Sequence, residues 1–268
     1  MGLHDSSMTD FVTDRELART YDGGAYPDAW EAVEQYRRAT RYASKHDTKS
    51  GATASALDLP RSRLRSWIDD GGAPDAVRAI EAAHAHGWLD CDYDDPEFTG
   101  LNALVANIFS GGSIAEENYR ALFTLNHRGE DSHVFDALEL ANVDYEVDGD
   151  RDGRADEIRP TENGIVLGRV LAVLGAPVGP KAQQRLELPS YLENAPADVR
   201  ETFVYAYLEN RAVEHEGRDT LTIREDRNRT YLSDLTELIA DVAGGGVELG
   251  EKYIVISADA ARSLGVVT

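Results

Sequence analysis

The sequence predicts an α+β chain in which an all-helical N-terminal part precedes a larger α/β part built from two copies of one helix–strand order. Three observations predict it. Apolar residues recur at helical spacing through residues 28–86, with turn residues between the segments. From about Leu101, apolar helices alternate with short strand-like runs. The same order returns from about Val199, with Ala106 matching Ala206 and Gly112 matching Ala212 at an offset of one hundred.

The elements follow in order. Residues 1–27 are polar and glycine-punctuated (Gly23, Gly24, then Pro27), which predicts a flexible, loosely ordered arm. Asp28 is placed to cap a helix carrying Trp30, Val33, Ala39 and Tyr42 on one face through about His46. A short small-residue helix spans 51–57, and Asp58-Leu59 makes a turn. Pro60 then suits the first turn of a helix to about Asp69, stopped by Gly71-Gly72. Pro74 opens another, through Val77, Ile80 and Ala83 to about His86. A short helix, a tight turn and a second helix with a basic face make a helix-turn-helix pattern within a DNA-binding domain at 28–95. In the second helix Leu64, Trp67 and Ile68 fall at i, i+3, i+4 and belong to the core. Arg61, Ser62, Arg63, Arg65 and Ser66 are left outside, where arginine pairs with guanine edges or neutralises phosphates.

The second domain, 99–268, divides into repeats at about 100–178 and 188–268. In the first, an apolar helix over 101–109 ends at Ser110-Gly111-Gly112, and Tyr119–Leu125 alternates like a strand. With Tyr119, Ala121, Phe123 and Leu125 packed on helices, Arg120, Thr124 and Asn126 face outward. A helix over 133–141, strands at 143–147 and 158–160 and a helix over 165–174 complete the copy. In the second, 203–208 reads as a helix, 209–213 as a turn and 220–224 as a strand. Leu221 and Ile223 turn inward there, and Thr220, Thr222 and Arg224 outward. A helix over 231–242, a strand at 253–256 and a helix over 258–264 follow. Arg227, Arg229 and Lys252 lie near enough to reach phosphates beside this sheet.

Charge sharpens the picture. The chain has 268 residues, 49 acids and 27 bases, for a net charge of −22, yet 42% of it is hydrophobic, so it can bury a core. Only four of the cations are lysines (Lys45, Lys49, Lys181, Lys252). Acid excess with scarce lysine resembles the proteins of extreme halophiles, in which dense carboxylates hold water and salt screens their repulsion. The acids are spread along the chain and not gathered in a tail, so the charge reads as a background. Against it stands a basic island: between Arg37 and Arg65 lie eight cations and two acids, a local +6 that leaves −28 elsewhere. Such an island points to a polyanion.

The duplicated part resembles the double-motif LAGLIDADG homing endonucleases. The resemblance is carried by Leu104–Ile114 (LVANIFSGGSI), by Phe203–Val213 (FVYAYLENRAV) and by Leu188–Leu192 (LPSYL) ahead of the second copy. It implies a saddle in which two motif helices pack at a pseudo-twofold axis, with Ala106 and Ala206 as the small contact positions. Two antiparallel sheets would lie along the major groove. It also implies one acid per copy, at the penultimate motif position, holding the divalent metal that cleaves DNA. Those positions here are Gly111, which has no ligand atom, and Arg211, which carries a fixed positive charge. The resemblance therefore implies a DNA-binding saddle without catalytic residues, metal or cofactor. Its internal duplication implies that one copy of the chain suffices on DNA. A degenerate LAGLIDADG domain joined to a helix-turn-helix also resembles sporulation regulators, although there the order of the two parts is reversed.

The other signals are weaker. Cys91 is the only cysteine, which excludes an internal disulfide and a cysteine-based zinc site. Asp148–Asp156 (DGDRDGRAD) fits the first half of a calcium loop. The twelfth position is Arg159 in place of glutamate, and the flanks read as strands, which favours an acidic hairpin turn. No apolar run approaches the roughly 20 residues of a membrane span, and no secretory signal is visible, so a cytoplasmic protein is expected. The expected function is sequence-specific binding of double-stranded DNA by a transcriptional regulator. The alternatives are an active endonuclease of this type and a protein-interaction or effector-sensing role for 99–268.

Overall fold

The computed structural model describes residues 11–125, 132–149, 156–215 and 218–265, with His215 and Arg218 as backbone only. Asn126 and most of the candidate calcium loop lie outside the described residues. The chain is mixed α+β, with eleven helices and two four-stranded antiparallel sheets among the described residues. It divides into two compact units, one of Val12–Ala85 and one formed by the rest. Among the described residues no helix is long and apolar enough to cross a membrane.

The smaller unit is all-helical: α1 (Asp14–Arg19), α2 (Ala29–His46), α3 (Ser50–Leu57), α4 (Arg61–Ile68) and α5 (Asp75–Ala85). The expectation of a loose arm fails at α1. Thr13 accepts from the Glu16 amide while the Glu16 side chain accepts from the Thr13 amide, a capping box that satisfies two amide donors of the first turn reciprocally. Leu17 and Ala18 behind it are fully buried. Asp14 then ties three helices together, 2.6 Å from Arg37 on α2 and 2.8 Å from His84 on α5. The glycines at 23 and 24 made the segment look loose, but its capping and burial are local facts that glycine content does not report.

The turn between α3 and α4 works through Asp58, whose φ of 55° and ψ of 49° put it in the left-handed region. Aspartate tolerates that region better than most side chains. The Leu59 amide returns to the Ala54 carbonyl at 3.0 Å, closing α3. At the other end Asp69, just past α4, accepts from the Ser50 amide at 3.1 Å and from its hydroxyl at 2.5 Å. These contacts hold the two helices in one arrangement about a core of Ala39, Ala54 and Leu64, with Leu57, Leu59, Trp67 and Ile68 packed against it.

The larger unit repeats one order of elements. The first copy is α6 (Pro96–Ser110), β1 (Ser113–Ile114), β2 (Ala121–Thr124), α7 (His133–Leu140), β3 (Tyr145–Asp148), β4 (Glu157–Pro160) and α8 (Gly164–Val173). The second is α9 (Ala197–Arg211), β5 (Ala212–His215), β6 (Arg218–Arg224), α10 (Arg229–Ala243), β7 (Val247–Leu249), β8 (Tyr253–Ile256) and α11 (Ala258–Ser263). The sheets match as well, in the orders β1-β2-β4-β3 and β5-β6-β8-β7. Residues 209–213, expected as a turn, instead complete α9 and begin β5. The helix runs on because Glu209 is buried and partnered, which its acidic character concealed.

The central pair is α6 and α9. Every residue from Gly100 to Ser110 is buried, so α6 is enclosed on all sides, as a helix at the centre of a unit must be. The two helices pack together with Ala106 and Ala206 both buried. Asn102 Nδ2 donates to the Val199 carbonyl at 2.8 Å near their starts, and Asn210 Nδ2 donates to Ser110 Oγ at 2.8 Å at their ends. Two glycines permit close approach elsewhere. A Cβ on Gly168 would lie 1.9 Å from the Tyr119 carbonyl oxygen, and one on Gly100 would lie 2.6 Å from that of Ala137.

Candidate nucleic-acid interface

In the helical unit α4 follows the expected division with one exception. Leu64 is buried, and Trp67 and Ile68 are partly buried. Trp67 meets Tyr36 edge-on at 5.6 Å, so it anchors the core. Arg61, Ser62, Arg65 and Ser66 are exposed. Arg63 is not free: its guanidinium lies 4.4 Å from the Tyr26 ring centroid and donates to Gln35 Oε1 at 2.9 Å. Position 63 shares the flank of α4 with Trp67, four residues on, which turns it toward α2. The available basic face is therefore Arg61 and Arg65, one turn apart, with Ser62 and Ser66 beside them.

A second basic row lies on α2. Arg38, Arg41 and Lys45 are exposed at spacings of three and four, and they share with Trp30, Tyr42 and Leu57 the lining of a shallow cleft of about 530 Å³. Lys49 is exposed just beyond. Arg37 belongs to the island by sequence, yet it is held by Asp14.

In the larger unit Ala121, Phe123 and Ile158 turn toward the helices and are fully buried. The strand alternation then puts Thr124, Glu157, Arg159, Glu146 and Asp148 on the opposite face of the first sheet. Three acids and one arginine make this face acidic, with Arg159 engaged by Asp148 at 2.5 Å. Thr124 is partly covered, and its hydroxyl donates to the Gly111 carbonyl at 3.2 Å. Arg120 is exposed beside the sheet.

The second sheet differs. Leu221 and Ile223 are buried as expected, and Arg224 is exposed. Thr222 is a correction: it is only 9% exposed. It lies in register between Val213 and Val255, whose branched side chains flank it on both neighbouring strands. This outward face also carries the exposed acid Glu248, in register with Val255, with Val213 and Tyr253 prominently exposed.

The motif ends hold groups that sequence reasoning passed over. Gly111 and Arg211 sit where α6 and α9 converge. The Glu225 side chain, 2% exposed, lies 3.0 Å from Arg211 Nε and 3.4 Å from Arg227 Nε. It also accepts the Tyr207 hydroxyl at 2.7 Å. Burial pushes the Tyr207 hydroxyl well above its ordinary range, and the nearby Tyr231 and Glu225 reinforce the effect, so this proton stays in place at any physiological pH. Lys181 donates to the carbonyls of Ile108, Phe109 and Gly112 at 2.6, 3.3 and 2.9 Å. Burial, and after it the neighbouring Arg211 and Arg227, lower its ammonium to about 8 against the pull of Glu225. The sequence signal available was the recurrence of motif positions at an offset of one hundred. Position 109 is Phe, stacked 5.8 Å from Tyr231 on α10, while position 209 is Glu, 2.6 Å from His133 Nδ1 on α7.

Cys91 is buried, and desolvation pushes its thiol up to about 12, which leaves no thiolate for chemistry near neutral pH. Among the described residues no group of three or more His, Cys, Asp or Glu side chains is placed to hold a metal ion. Asp148 of β3 pairs with Glu157 of β4 across the ladder, so strands flank residues 149–156 where an EF-hand loop would require helices. No protein-family model matches this sequence, and no curated protein matches it at a significant level.

Proposed function

We propose that the protein is a sequence-specific double-stranded DNA-binding protein, a transcriptional regulator whose duplicated domain is a catalytically inactive LAGLIDADG-like platform. The observation that carries this reading is the free basic face of α4. Arg61 and Arg65 stand exposed on the second helix of a tightly tied helix pair, in a chain of net charge −22. Arginine at such a place reads guanine edges bidentately or neutralises phosphate, and the row on α2 adds phosphate contacts. The repeated element order, the matching strand orders and the burial of Ala106 and Ala206 on the packed helices α6 and α9 support the LAGLIDADG-like reading of the larger unit. Gly111 and Arg211 at the motif ends support the loss of cleavage, because neither supplies an oxygen ligand to a hard cation. The acidic outer face of the first sheet supports a reading in which the main contact is made by the helical unit and a lesser one by the second sheet through Arg224.

The test is a gel shift on duplexes enriched from a random pool by the full chain. Arg61→Ala with Arg65→Ala, leaving Arg63 in its packing role, should weaken binding by 100-fold or more, since each good bidentate pair is worth about 1–3 kcal/mol. Binding at the wild-type level by the double variant would remove α4 from the account.

A further inference from the structure

Two helix C-termini converge in the larger unit, and each carries about half a negative charge. Lys181 answers the end of α6. Its three donated hydrogen bonds to Ile108, Phe109 and Gly112 use every proton of the ammonium, so it serves as a cap.

Arg211 and Arg227 are arranged differently. Arg211 is the last residue of α9, and both arginines direct a buried Nε toward Glu225. Two guanidinium charges face one carboxylate and the end of one helix, so about half a positive charge is left over even before Lys181 is counted. Neutralising Glu225 needs one arginine, and the site has two. The Arg211 side chain is 34% exposed, and among the described residues its terminal nitrogens meet no acceptor. It is a guanidinium anchored on its buried edge with its two-pronged end available. Arg227 is 13% exposed beside the same carboxylate, and its only further bond among the described residues is to the Asp226 carbonyl at 3.3 Å.

We infer that Arg211 and Arg227, braced by Glu225, form an anion site that takes a phosphate group without the help of a divalent metal. A fork of this kind matches two phosphate oxygens. The depressed Lys181 ammonium reports the same positive surroundings, because the two arginines add to the effect of its burial. The phosphate comes either from a duplex backbone, in which case the site rests on the DNA-binding reading above, or from a free phosphorylated molecule.

One experiment separates these sources. The full chain, its Arg211→Gln and Arg227→Gln variants and their double are compared in EDTA, on an enriched duplex titrated with salt and in thermal melts with inorganic phosphate at matched ionic strength. A backbone phosphate predicts that the slope of log affinity against log salt flattens by about 0.9 for each arginine removed. A free phosphate predicts a raised melting midpoint in the wild type that disappears in the double variant, with duplex binding unchanged. If the wild type binds no duplex but is protected by phosphate, the DNA reading falls and the anion site stands. If slopes and midpoints are the same in wild type and variants, the arginines only neutralise Glu225 and the inference is overturned. Should glutamine at 211 unfold the unit, phosphate protection of the wild type decides, its presence supporting the site and its absence removing it.

Discussion

The two units carry the charge of the chain very unequally. Val12–Ala85 contains eleven cations and twelve acids, a net −1, which leaves −21 on the rest. A uniform demand for surface acid, such as salt adaptation makes, gives no reason to exempt one unit. A polyanionic ligand does, because a strongly acidic surface would repel it at every distance within a Debye length, about 10 Å at 0.1 M salt. The difference teaches that a global charge is a poor guide to partners and that its partition along the fold is a better one. The larger unit applies the same lesson on a smaller scale. Its first sheet shows acids outward, while the meeting point of α6 and α9 gathers Lys181, Arg211 and Arg227 around a single carboxylate.

The largest effect expected is on the smaller core, which relies on alanine and a few large residues. Leu64→Ala removes the one large, fully buried side chain at the α3–α4 contact, and such truncations cost about 2–5 kcal/mol. Hydrogen exchange read by mass spectrometry should show α2, α3 and α4 losing protection while α6 and α9 keep theirs. Equal loss in both units would mean that they unfold as one body and that the contrast between them is only one of charge.

The next effect belongs to the larger unit and depends on pH. Lys181 has a folded-state value near 8 against 10.5 for an unperturbed lysine, so between those values the unfolded chain binds the additional proton. Its contribution to stability is therefore unfavourable below about pH 8 and is relieved as pH rises from 8 toward 10.5. Arg211, Arg227 and Glu225 face the ammonium. From pH 8 to 10 the wild type should gain about 1–2 kcal/mol relative to Lys181→Met, a difference in which the raised Cys91 thiol and Tyr207 hydroxyl, which act in the opposite direction in both proteins, cancel. A difference between wild type and Lys181→Met that is flat or falling over that range would contradict the positive surroundings assigned to the site.

Periodicity made the helices and the duplication legible, because amphipathic spacing and a hundred-residue offset are properties of the sequence itself. The inward residues Ala121, Phe123, Leu221 and Ile223 were legible from strand alternation for the same reason. What was not legible depends on partners distant in sequence. Arg63 is diverted by Tyr26 and Gln35, and Thr222, flanked in register by Val213 and Val255, is buried. The cluster around Glu225 joins a linker lysine, a helix end and a strand end. No spacing rule connects such positions until the chain has folded.

The smallest effect tests where the contrast begins. Thr13 and Glu16 form the capping box of α1, in a segment whose glycines and polarity suggested looseness. If α1 is part of the near-neutral unit, its cap must contribute to the stability of that unit, since Asp14 on the first turn reaches both Arg37 and His84. Thr13→Ala deletes the hydroxyl that accepts from the Glu16 amide and should cost about 1 kcal/mol, read as a lower denaturant midpoint for the helical unit with the slope unchanged. Glu16→Gln retains an acceptor for the Thr13 amide and should cost less. A fall confined to α1, with α2 and α5 unaffected in exchange protection, would mean that α1 frays independently and that Asp14 is not the tie its distances describe. The neutral unit would then begin at α2, and the tally of eleven cations against twelve acids would need to be drawn again from there.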